Sequence, residues 1–133
     1  MKKLLLAGLL LTSSLFAGGF DTPYQAIDFW HKVSSKASYS GDVSAQKKLA
    51  PHTSMGTLKQ AANKISSFRT GLKRANAVKE FGYIKKLYKV RNQENTYKVR
   101  YWKYDWQKKI EMYWDSQEVK AKKINGKIKW FIH

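Results

Sequence analysis

The chain is predicted to fold as an α+β domain, N-terminal helices packed on a curved four-stranded antiparallel sheet. Two observations carry that expectation. Up to about residue 77 the apolar residues recur at threes and fours, and beyond it the period falls to two while β-branched and aromatic residues take over. A third bounds it: 133 residues, 43% hydrophobic and 14% aromatic, with no cysteine, make one domain held by its core without disulfides or thiolate metal sites.

The first 17 residues are expected to be an export signal and not part of the fold. Lys2 and Lys3 precede an unbroken apolar run, Leu4 to Leu11, and Thr12-Ser13-Ser14 breaks it. Leu15-Phe16-Ala17 followed by Gly18-Gly19 offers small residues at a cut near 17–19, leaving 18–133 as a single α+β domain. The apolar run is far shorter than the roughly 20 residues a bilayer anchor needs. No cysteine follows it, so the pattern is a Sec-type signal and not that of a lipoprotein. The product is expected in the bacterial periplasm or outside the cell, with no transmembrane anchor.

In the helical part, Thr22-Pro23-Tyr24-Gln25 reads as a capping box with proline at the first helical position. Behind it Ala26, Ile27, Phe29, Trp30, Val33 and Ala37 form one apolar stripe, and the helix is expected to end near Ser38. Tyr39-Ser40-Gly41 is a loop, and Asp42 caps a short second helix carrying Val43, Ala45 and Leu49, stopped by Pro51. Thr53 or Ser54 is expected to cap a third helix with Leu58, Ala61, Ala62, Ile65, Phe68 and Leu72 on its buried stripe.

Four strands are expected at 78–91, 96–106, 109–123 and 127–132. Asn125-Gly126 suits a two-residue hairpin with positive φ at both positions, which sets Ala121 against Trp130 and Val119 against Ile132. Lys120, Lys122 and Lys129 then lie on the opposite face. The alternation changes phase twice. Tyr97, Val99 and Tyr101 alternate with Trp102, Tyr104 and Trp106, and the even-numbered Ile110, Met112 and Trp114 give way to the odd-numbered Val119 and Ala121. Such switches predict bulges that curve the sheet.

Three features carry a resemblance. They are the first helix Pro23-Tyr24-Gln25-Ala26-Ile27-Asp28-Phe29-Trp30, the Leu49-Ala50-Pro51 break, and the closing Asn125-Gly126-Lys127-Ile128-Lys129-Trp130 hairpin. In this layout the chain resembles the small secreted bacterial members of the nuclear-transport-factor-2-like, or cystatin-like, superfamily. The resemblance implies a cone-like fold over nearly the whole mature chain. Superfamily members range from isomerases and dehydratases to secretion scaffolds and adaptors, so it implies no single function. Its enzymes set an Asp/His pair inside the cone, for which Asp28 and His31, three apart on the first helix, are the local counterpart.

That pair falls away from the apolar stripe and is read as a surface carboxylate beside a surface imidazole. Asp105 and Asp115, near strand ends amid Trp102, Trp106 and Trp114, are read as turn residues or partners for nearby lysines. His31, His52 and His133 have no metal-ligand spacing, and no serine elbow or phosphate-cradling glycine loop occurs. No cofactor, metal or enzyme activity is expected, and an acid–base enzyme using Asp28 and His31 is the least favoured reading.

The charge is the most informative feature: 26 Lys+Arg against 9 Asp+Glu, a formal +17. Lys98, Arg100, Lys103, Lys120, Lys122 and Lys129 are the candidate cations of a sheet face, and Trp102, Tyr104 and Trp106 the candidate stacking or interface platform. Cations interleaved with flat rings suit single-stranded nucleic acid, whose phosphates they neutralise and whose bases they stack. The same chemistry suits lipopolysaccharide and other envelope polyanions, and Trp and Tyr equally anchor protein interfaces. Against these stands a lysine-rich exterior that keeps a sheet soluble and blocks edge pairing. The expectation is an exported, non-catalytic binding or accessory protein of the bacterial envelope. The alternative is a periplasmic polyanion binder. An envelope protein partner or a homodimer through the sheet is open as well.

Overall fold

Thr22 starts the first helix as its sequence dictates. Its hydroxyl accepts the Gln25 amide at 3.2 Å while the Gln25 side chain accepts the Thr22 amide at 3.2 Å, closing the capping box in front of Pro23. The computed structural model describes residues 18–38, 40–70, 84–105 and 107–133, excepting the side chains of Arg69, Thr70, Ile84, Lys85, Trp102 to Asp105, Glu111, Met112 and Trp114. The expected export signal, Leu72, residues 78–83 of the first expected strand, and Trp106 lie outside the described residues.

Helix α1 spans Pro23–Lys36, α2 Val43–Leu49 and α3 Leu58–Thr70, with a 3-10 turn over Ala50–His52. Strands β1 (Ile84–Lys89), β2 (Thr96–Asp105), β3 (Ile110–Ile124) and β4 (Lys127–Ile132) form one antiparallel sheet in sequence order. The three helices pack against that sheet, as expected. Helix α1 ends two residues early because Ala37 turns extended, at φ −80° and ψ 127°. Helix α3 is capped neither by Thr53 nor by Ser54. Thr57 takes the role, its hydroxyl accepting the Gln60 amide at 3.1 Å, because Gly56 at φ +65° first turns the chain.

The apolar stripes of the helices meet one face of the sheet. Ala26, Ile27, Trp30 and Val33 of α1, Leu49 of α2, and Ala61, Ile65 and Phe68 of α3 are buried with Val99, Tyr101, Val119 and Ile132. Each large aliphatic side chain among them contributes about 1.5–3 kcal/mol by leaving water.

Both hairpin expectations hold. Asn125 and Gly126 have φ of 51° and 80°, and Val119 pairs with Ile132 and Ala121 with Trp130. The expected phase switch in β3 has a physical cause. Lys98 pairs with Glu118 but Arg100 with Asp115, so Ser116 and Gln117 together oppose Val99 alone. This is a β-bulge. The Val99 amide, which the bulge deprives of a ladder partner, donates to Ser116 Oγ at 2.9 Å.

The far edge of β4 is covered. Phe20 bridges Trp130 through two backbone hydrogen bonds of 2.9 and 2.8 Å, and the Ser54 amide donates to the Ile132 carbonyl at 2.7 Å. The approach of this N-terminal strap is close enough to require glycine. A Cβ on Gly18 would stand 2.0 Å from the Pro51 carbonyl oxygen, and one on Gly19, already at φ +87°, 2.8 Å from the Phe131 ring.

Candidate functional site

Alternation along β2 divides its side chains. Val99 and Tyr101 are buried, whereas Lys98 and Arg100 stand half-exposed on the outer face, as their parity requires. The register sets Lys86 of β1 beside Arg100, and Tyr88 beside Lys98. On the other flank lie Asp115 and Glu118 of β3.

Arg100 is the centre of this face, and its charge is already engaged. Its Nε donates to Asp115 Oδ1 at 2.9 Å and its second nitrogen to Oδ2 at 3.4 Å, a forked pair. The guanidinium carbon lies 3.9 Å from the centre of the Tyr113 ring and 4.6 Å from that of Tyr88. The carboxylate that accepts these bonds raises the guanidinium pKa further. Burial alone would raise Asp115, but the bonds from Arg100 and Tyr88 outweigh it and hold the carboxyl below its ordinary value. Arg100 therefore orders the face, with Tyr113 lying over it and keeping 51% of its surface in solvent.

The other candidate cations fall into two groups. Lys129 pairs with Asp21 at 2.5 Å, tying the strap to β4, and Lys122 donates to the Ser54 carbonyl and lies 5.2 Å from the Phe131 ring centre. Lys98 and Lys120 have no ion-pair partner among the described residues. They are diagonal neighbours on the outer face, since Lys98 opposes Glu118 and Lys120 opposes Thr96. Lys103, Trp102 and Tyr104 occupy β2 opposite Met112, Tyr113 and Glu111, their side chains not being among those described.

Sequence reasoning missed Tyr88 and Tyr113 as the rings that hold Arg100. The signal was present: once two residues of β3 are assigned to the bulge, Asp115 falls opposite Arg100, and Tyr113 and Tyr88 become its diagonal neighbours. Asp115 is thus an arginine's partner, close to its sequence reading. Asp28 is exposed, and His31 is half-buried with its ring 4.9 Å from that of Trp30.

The remaining imidazoles serve packing. His52 is stacked on Phe20 at 4.5 Å and meets Phe29 edge-on at 4.8 Å, while its Nδ1 accepts the Gly19 amide at 3.1 Å. Burial lowers its pKa. His133 Nδ1 lies 2.9 Å from Ser54 Oγ, its pKa lowered by burial and then by Lys120, Lys64 and Lys122. Among the described residues no three His, Asp or Glu side chains gather into a metal site, and no helix is long and apolar enough to cross a membrane.

No family model, curated protein or solved structure matches the chain.

Proposed function

We propose that the protein is an exported, non-catalytic binding protein of the bacterial envelope that holds an anionic polymer, single-stranded nucleic acid foremost, against the outer face of its sheet. One observation carries this reading: the Tyr113 ring is held over Arg100 and half-exposed, on the same face that carries, further along the strands, Lys98 and Lys120, which have no carboxylate within ion-pair reach among the described residues. A half-exposed ring ordered by a guanidinium can take part in stacking without first losing rotamer freedom, and unpaired ammonium groups further along the face neutralise phosphates. Export is supported by the charged, apolar and small-residue order of the first 19 residues.

The test is binding of the purified protein to fluorescent single-stranded DNA across a salt series, with heparin and lipopolysaccharide as competitors. Log affinity should fall against log salt with a slope of about −0.7 per phosphate contacted, and binding should survive at about 150 mM salt. Lys98→Glu with Lys120→Glu should flatten that slope and leave the melting temperature nearly unchanged. Binding that vanishes at that salt, or passes equally to either competitor, would reduce the +17 to bulk charge.

A further inference from the structure

A second constellation of lysines lies away from the sheet face, where α1 and α2 border an open cleft of about 210 Å³. Its floor is carbon. Phe29 and Val33 stand one turn apart on α1 and meet Ala45 of α2. Its rim is cationic: Lys32 and Lys36, also one turn apart on α1, and Lys48 near the end of α2. All three are exposed and none has a carboxylate partner among the described residues. Two lysines one turn apart repel, a cost set against the favourable place of Lys36 in the last turn of the helix. The one acid at the cleft, Asp42, is committed to the helix end, where its carboxylate accepts the Ala45 amide at 3.1 Å.

We propose that this cleft binds a medium-chain fatty carboxylate, tail on the floor of Phe29, Val33 and Ala45 and head among Lys32, Lys36 and Lys48. Size and charge select that class. A cleft of about 210 Å³ is on the scale of one short tail and small for several repeats of a polymer. The apolar floor gives a tail its burial, and the three ammonium groups, offset by Asp42 alone, favour an anionic head. A nucleobase would find one ring, Phe29, and no second one to stack on. The proposal does not rest on the sheet-face reading, because none of these residues lies on the sheet.

Octanoate is the probe, titrated into the full chain by calorimetry and by methyl NMR of Val33 and Ala45. Saturable binding is expected, with those methyls shifting first. Affinity should fall about fourfold for each methylene removed towards butyrate, as burial of one methylene implies. Octylammonium should not bind. Lys32→Glu with Lys36→Glu should weaken octanoate at least tenfold, whereas Lys47→Glu, exposed and outside the cleft, should not. Both are surface changes, and matching melting curves would separate lost binding from lost folding. Equal binding of octylammonium, indifference to chain length, or unchanged affinity in the Lys32/Lys36 variant would overturn the proposal. Tighter binding of octyl phosphate would overturn the carboxylate as head. Single-stranded DNA binding should be intact in the cleft variant and octanoate binding intact in Lys98→Glu with Lys120→Glu, so either reading can fail alone.

Discussion

The Val99 amide donates to the Ser116 hydroxyl at 2.9 Å, and that bond sits where β3 carries one residue more than β2. Ser116 in turn donates to the Gln117 carbonyl at 2.8 Å, so the hydroxyl repairs the ladder on both sides of the bulge. Ser116→Ala leaves a buried amide without its acceptor and should cost about 1–3 kcal/mol. Urea unfolding would measure it. A loss below a few tenths of a kcal/mol would mean the bulge does not depend on this bond.

Arg100 and Asp115 give the stability of the sheet face a pH dependence of known sign. The Asp115 carboxyl lies below its ordinary value when folded, so its contribution is present above the unfolded pKa, about 3.9, and is lost as pH falls through the folded value. Arg100→Lys keeps the charge but loses the fork and the flat stack between Tyr88 and Tyr113. The variant should move the Asp115 carboxyl upwards in a carbon-13 titration. An unmoved titration would show that the fork does not set it.

His52 should make the strap sensitive to acid. Its Nδ1 accepts the Gly19 amide only when unprotonated, and burial keeps its folded pKa below the ordinary 6.5. The stability it gives is therefore complete above the unfolded value and lost as pH falls through the folded one. Amide exchange at Phe20 and Trp130, corrected for intrinsic rates, should accelerate between about pH 7 and pH 5. His52→Gln retains an acceptor without a titration and should abolish that acceleration. If it persists, a group other than His52 is responsible.

Two glycines allow a direct comparison of close contact with backbone strain. Gly126→Ala meets open space and pays only for φ +80°, about 1–2 kcal/mol. Gly18→Ala places its Cβ 2.0 Å from a backbone oxygen of Pro51, which cannot rotate away. It should cost more than Gly126→Ala, with the extra loss read as faster exchange at Phe20. Equal losses would mean that the strap shifts freely.

Tyr113→Ala and the lysine variants should divide the binding energy into two kinds. Removing a stacking ring costs about 1–3 kcal/mol per base and leaves the salt slope alone. Replacing Lys98 and Lys120 should instead change the slope. A fluorescence titration at three salt concentrations distinguishes them; a Tyr113→Ala variant that binds like the parent removes stacking from the mechanism.

How much of this was legible depended on distance along the chain. The α1 capping box, the Asp42 cap and the Asn125-Gly126 hairpin are local, and each appears where its residues stand. The change of phase in β3 announced a bulge but not its position, because alternation alone cannot say which strand holds the extra residue. That position is decided by hydrogen bonding between residues 17 apart, Val99 and Ser116. For the same reason the sequence marked Arg100 as a free cation. Its fork with Asp115 and its two tyrosines are visible only in register. The start of α3 was misplaced because Thr53 and Thr57 are both good caps, and the turn at Gly56 chose between them. The rim of the α1–α2 cleft escaped notice since exposed helical lysines, taken singly, look like solvation.

The strap also gives the sheet a direction. With the outward amide and carbonyl of Trp130 taken by Phe20 and the carbonyl of Ile132 by Ser54, a foreign strand arriving at β4 finds this end of its edge already paired. Among the described residues, edge pairing is left to the β1 side and to the turn end of β4 around Ile128. Two copies could then join β1 to β1, whereas a strand pairing with the full length of β4 would first have to displace Phe20 and Ser54. Phe20 and Ser54 thus set a limit on polymerisation through that end of the sheet.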